Sequence, residues 1–173
     1  MKVNGKVLIV GCGNRLLGDD GFGPSAAERC QRFKLGDSIL AMDVGTQLSP
    51  LIMELIYSKE KPKGLIILDA SDGGRAPGTV FQVSVDDLEG RSTDTFSLHD
   101  FPSPAVFKEL RDRREVEVRI ISCQPAMGLD GVKMSLSPEV EASVGEAART
   151  AVMMAREMLA RSRRSRSGSG RRS

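Results

Sequence analysis

Val7-Leu8-Ile9-Val10-Gly11-Cys12-Gly13-Asn14-Arg15-Leu16-Leu17-Gly18-Asp19-Asp20-Gly21-Phe22-Gly23 joins an apolar run to a Gly-rich turn and then to a helix. The run bounded by glycine reads as a buried parallel strand. A Gly-rich turn between strand and helix ordinarily aims backbone N–H groups at an anion. Here the turn carries two adjacent carboxylates, Asp19 and Asp20. Their paired charge repels a phosphate and attracts a metal ion or a cationic group. The stretch therefore imitates a nucleotide-binding loop with the wrong electrostatics for one. The dinucleotide fingerprint would need glycine where Leu16 stands, and no Gly-Lys-Ser or Gly-Lys-Thr completes a P-loop.

Outward from this stretch the chain alternates strand and helix. Helical spacing covers Phe22–Phe33, Gln47–Tyr57, Pro104–Arg114 and Pro138–Ala160. Strand patterns cover Ser38–Asp43, Gly64–Asp69, Thr79–Val85 and Glu115–Ser122. Thr79–Val85 alternates with period two and suits a position near a sheet edge. The order predicts an α/β protein: a three-layer α/β/α sandwich around a mostly parallel twisted sheet of about five strands. In such sheets the functional crevice lies beyond the carboxyl ends of the strands. Asp20, Asp43 and Asp69 all fall there.

At 173 residues, 40% hydrophobic and 28% charged, the composition suits one soluble domain over residues 1–160. Residues 161–173 hold six arginines with Ser and Gly and no apolar residue, and read as a disordered tail. Without those arginines the body carries 19 basic and 23 acidic residues, a net of −4, so the overall +2 comes from the tail. No run approaches the roughly 20 apolar residues of a membrane span. One Tyr and no Trp argue against a base-stacking surface for nucleic acid. Cys12, Cys30 and Cys123 have no framework spacing, which suggests reduced thiols and a cytoplasmic location.

The candidate chemistry rests on few residues. Asp19 and Asp20 stand where one of them would cap the helix at Phe22, leaving the other surplus to capping; Asp43 would cap the helix near Gln47. Asp69 ends an apolar strand, where it either caps the next turn or serves the crevice. His99 is the only histidine, in the polar loop Gly90–Ser103. Asp20, Asp69 and His99 would form an O, O, N set with room for outside ligands, suited to a borderline divalent ion such as nickel or zinc. No Gly-x-Ser-x-Gly elbow is present. Cys12 and Cys123 lie near strand ends, where they could line the crevice, though small buried residues is the favoured reading.

Several motifs, in order, resemble the hydrogenase maturation endopeptidases. These are Gly11-x-Gly13-Asn14-x-Leu16-x-x-Asp19-Asp20-Gly21-x-Gly23, Asp43-x-Gly45-Thr46, Leu68-Asp69-Ala70, Ser97-x-His99 and Gln124-Pro125. The later motifs resemble the branch acting on the deazaflavin-reducing hydrogenase of methanogens. The resemblance implies an α/β/α fold and an endopeptidase that removes a C-terminal extension from the nickel-iron hydrogenase large-subunit precursor after nickel insertion. It implies that Asp20, Asp69 and His99 are the catalytic and nickel-contacting positions. Nickel would arrive bound to the substrate, and zinc or cadmium could take its place. The chain departs from the family at Ser122-Cys123, where Gly-Ile is frequent, and in its Arg-Ser-Gly tail. Two other readings use the same residues: a non-catalytic nickel-binding or chaperone module, and a metal-dependent phosphohydrolase with Arg15 and Arg75 as phosphate clamps.

Overall fold

The computed structural model describes residues 2–88, 101–126 and 134–168, with side chains described as far as Arg161. The elements are β1 (Val7–Cys12), α1 (Phe22–Gln31), β2 (Ile39–Gly45), α2 (Leu48–Tyr57), β3 (Gly64–Ala70), β4 (Val80–Val83), α3 (Pro104–Lys108), β5 (Glu117–Cys123) and α4 (Pro138–Gly168). A short 3₁₀ turn, Gly18–Gly21, precedes α1, and one wide helical turn, Glu109–Arg113, extends α3. The five strands lie in the order β2-β1-β3-β5-β4. β1, β2, β3 and β5 run parallel, and β4 is the antiparallel edge strand. The expected mostly parallel sheet between helical layers is what forms.

Alternation along each strand splits the core in two. Val7, Ile9, Ile66, Leu68 and Ile121 face α1 and α4, in one cluster with Ala26, Ala147 and Ala151. Leu8, Val10, Leu65, Ile67 and Ile120 face the layer of α2 and α3, with Ile52, Leu55 and Phe107. Each fully buried Leu or Ile contributes roughly 1.5–3 kcal/mol of transfer free energy. The alanine stripe of α4 and Gly23 in the first turn of α1 let the helices approach closely. A Cβ at Gly23 would collide with the carbonyl oxygens of Cys12 and Leu68. That approach sets the start of α1 directly against the ends of β1 and β3.

The connections leave β1 in one direction to β2 and return past it to β3, so the strand order reverses between β1 and β3. The crevice at such a reversal is where open α/β sheets bind ligands. Cys12 and Asp69 end the two strands that flank it. α4 runs past Ala160 into the segment read from sequence as tail. Arginine is a good helix former, and Arg161 is held by Glu157 at 3.5 Å and Glu117 at 3.7 Å. Among the described residues, no helix is long and apolar enough to cross a membrane.

Candidate active site

Three strands end level with one another on the α2/α3 face. The register puts Gly11 beside Leu68 and Asp69 beside Ser122, so Cys12, Asp69 and Ser122 form a row across β1, β3 and β5. Asp69 and Ser122 are fully buried and Cys12 is 4% exposed. The β1–β2 register shifts between Gly11 and Cys12. Such bulges re-aim a side chain beside functional sites. Cys12 Sγ donates to the Leu68 carbonyl at 3.5 Å.

Asp20 reaches this row from the β1–α1 turn. It is fully buried, and its Oδ2 accepts the Asn14 N–H at 2.7 Å, which closes the turn on itself. Gly13 sits at φ 126°, a conformation that favours glycine, and a Cβ there would meet the Asp20 backbone carbonyl. Asp20 also lies just before α1, whose N-terminal dipole favours a negative charge. Asp69 Oδ1 accepts the Ala70 N–H at 2.9 Å. Both carboxylates act on one atom. Burial first, then the charge of Asp69 and a hydrogen bond to it, then the charge of Asp20, push the Cys12 thiol well above its ordinary range. The thiol is therefore held protonated at neutral pH and is no nucleophile. Burial also raises Cys123, to about 11, and Cys30, to about 12.

Asp19, next in sequence to Asp20, does different work. Its Oδ1 accepts the Ser137 N–H at 2.6 Å, and its Oδ2 accepts the Ala126 N–H at 2.8 Å and the Ser137 hydroxyl at 3.0 Å. Neither Asp19 nor Asp20 caps α1, whose N-cap position is Gly21 and which has no side-chain cap bond. Asp19 instead ties the first turn of the fold to the end of β5 and the start of α4. Asp43 does not cap α2 either. Its Oδ1 takes the Gly45 N–H at 2.8 Å in a local turn, and its Oδ2 pairs with Arg15 at 3.3 Å.

Gln124 supplies a support that sequence alone left as a bare motif. Its Oε1 accepts the N–H groups of Gly73 at 2.8 Å and Arg75 at 3.1 Å, while its Nε2 donates to Asp72 Oδ1 at 3.1 Å. The turn after Asp69 thus hangs on one buried amide. Gln124→Ala leaves those groups unmatched and is expected to cost about 2 kcal/mol, measured as a lower denaturation midpoint with unchanged slope. Ser71 and Ser122 were missed from sequence as site neighbours, because a small polar residue at a strand end reads as ordinary loop entry, whereas Cys12 does line the crevice, the less favoured of its two readings. Arg15 is paired with Glu28 at 3.1 Å and with Asp43, and Arg75 stacks 4.6 Å over the Phe81 ring. Both candidate phosphate clamps are thus engaged elsewhere.

The structure brings Asp20 and Asp69 together around Cys12. His99 lies outside the described residues. Phe101, two positions on, packs against Phe107 with ring centroids 5.4 Å apart, on the same face as the Cys12–Asp69–Ser122 row. Among the described residues no three metal-ligating side chains are grouped to hold an ion. Asp20 and Asp69 offer hard oxygen donors, so a full shell needs ligands from His99 or from outside the chain.

Comparison with known proteins bears on this arrangement. A family model described as HycI, hydrogenase maturation protease, matches residues 24–154. A Methanocaldococcus jannaschii protein named for a hydrogenase maturation protease is 34% identical over 142 residues, covering 82% of this chain and 90% of its own. The coenzyme F420 hydrogenase subunit delta of Methanothermobacter thermautotrophicus is 28% identical over 152 residues, covering 85% and 92%. The solved hydrogenase maturating endopeptidase HybD of E. coli superposes with a TM-score of 0.71 at 26% identity, covering 88% and 93%. With a family model over most of its length, close relatives over nearly their whole length and a shared fold, the chain belongs to the hydrogenase maturation protease family and is an endopeptidase of hydrogenase maturation.

Proposed function

We propose that this endopeptidase removes a C-terminal extension from a nickel-iron hydrogenase large-subunit precursor once nickel has been inserted, and that Asp20, Asp69 and His99 grip that nickel as part of the substrate. The observation that carries the reading is the meeting of two fully buried carboxylates at the β1/β3 reversal. Two such charges repel each other, and a divalent cation relieves the repulsion. A nickel ion already held by the precursor would leave few positions for the enzyme, which suits a site with two carboxylates and one imidazole. Nickel also polarises a nearby carbonyl or water. Asp20 would take the proton of the attacking water, the carbonyl carbon–nitrogen bond would break, and the new amine would leave protonated. Cleavage is then a checkpoint, because an empty precursor offers nothing to grip.

The test is mass spectrometry of purified precursor with and without nickel after incubation with the pure enzyme. Loaded precursor is expected to lose its extension and empty precursor to keep its mass. Binding of loaded precursor with no mass change would favour a nickel-binding or chaperone module. His99→Ala is expected to keep the circular dichroism spectrum and abolish cleavage; normal processing by that variant contradicts the site.

A further inference from the structure

Two buried hydroxyls bracket Asp69. Ser122 lies beside it in register on β5, and Ser71 follows two positions along its own strand, on the same face. The Ser71 N–H donates to the Cys123 carbonyl at 3.1 Å, so the ladder extends that far. Both serines are fully buried, and among the described residues neither hydroxyl has a hydrogen-bond partner. The other buried serines are satisfied: the Ser137 hydroxyl donates to Asp19 at 3.0 Å and the Ser143 hydroxyl to the Val140 carbonyl at 2.7 Å. Apart from Asp69, the neighbours of Ser122 in the sheet are apolar, with Ile120 on its own strand and Phe81 opposite it on β4. Burying a hydroxyl without a partner disfavours folding, and alanine would serve packing better at both positions. Such a conflict between local chemistry and stability points to function.

We infer that Ser122 and Ser71 are positioning residues for Asp69, whose carboxylate they hold by hydrogen bonds when the nickel-bearing substrate is in place. The inference rests on the proposed function. In the present state Asp69 Oδ1 takes the Ala70 N–H. A carboxylate turned toward nickel keeps one oxygen for the metal and offers the other to these donors. A carboxylate so held is oriented before it meets the metal, which favours the bound complex.

The experiment compares wild type with Ser122→Ala, Ser71→Ala and the double variant, by steady-state cleavage of nickel-loaded precursor and by thermal unfolding of the free proteins. Because the contact acts through the grip on substrate, KM is expected to rise about tenfold in the double variant with kcat within about twofold. Because the hydroxyls lack partners among the described residues, the unfolding midpoint is expected to stay level or rise by about 2 °C. Wild-type KM in the double variant overturns the inference. So does a midpoint lowered by more than about 2 °C, which would mean that the hydroxyls hold the fold instead. If wild type itself leaves loaded precursor uncut, the proposed function fails and the positioning role falls with it. If wild type cuts and the variants match it, the positioning role alone fails.

Discussion

Replacing Asp69 by Asn is expected to slow precursor cleavage by about 10³-fold or more while the fold persists, and Asp20→Asn should do the same. Asparagine has the size of aspartate and keeps a carbonyl oxygen. At position 69 that oxygen can still accept the Ala70 N–H, and at position 20 the Asn14 N–H. What is lost is the charge. Two buried carboxylates at the end of an apolar face are of little use to packing, and a neutral amide at either site lessens their mutual repulsion. Stability should therefore be retained or improved, while the grip on a cation and the general base are removed. Cleavage followed by mass, with thermal unfolding in parallel, checks both halves. A variant that loses activity only because it unfolds would refute the assignment.

Asp19→Ala should give the opposite result one residue away. The Asp19 carboxylate holds two N–H groups and a hydroxyl, all from the segment that links β5 to α4. Its relative exposure is 8%, so solvent replaces those bonds poorly. Removal leaves buried donors unmatched at the point where the N-terminal turn meets the C-terminal third of the chain. The expected loss is about 3 kcal/mol. For a domain of this length that lowers the unfolding midpoint by roughly 6–12 °C. The neighbours Asp19 and Asp20 thus separate by readout: stability for the first, cleavage for the second. Unchanged stability in Asp19→Ala would contradict the description of this contact.

The division between the two aspartates was only half visible in the sequence. The surplus of charge over what a cap needs was legible, but not which aspartate was surplus; Asp20 was chosen through the family resemblance. The partner of Asp19 was not, because Ser137 lies 118 positions away and only the folded chain brings it near. The strands were legible because they are continuous apolar runs bounded by glycine. Their boundaries moved by a residue or two where tertiary pairing extends the ladder, as at Cys12 and Cys123. β4 was legible as an edge candidate from the alternation of Phe81 and Val83 with Gln82. Its antiparallel direction was not, since alternation carries no sense of direction. The helical stop at Ala160 failed for a physical reason: apolar periodicity ends there, but arginine sustains a helix without burying a face. Asp20 and Asp69 could be placed at strand ends from sequence, but their joint effect on the Cys12 thiol depends on the strand order, which reverses between β1 and β3. Ser122 stood out only as a departure from the family motif and Ser71 not at all, because nothing in a sequence marks a hydroxyl as buried without a partner.

In the proposed site Asp69 and His99 act on one nickel ion rather than at separate steps. A double-mutant cycle on precursor cleavage tests it most directly, using wild type, Asp69→Asn, His99→Ala and the double variant, with folding verified for each. Ligands of one ion act as a unit, so the double variant is expected to be no slower than the slower single variant, within about threefold. Losses that multiply, with the double variant slower by the product of the two single effects, would show two independent roles and contradict the shared site.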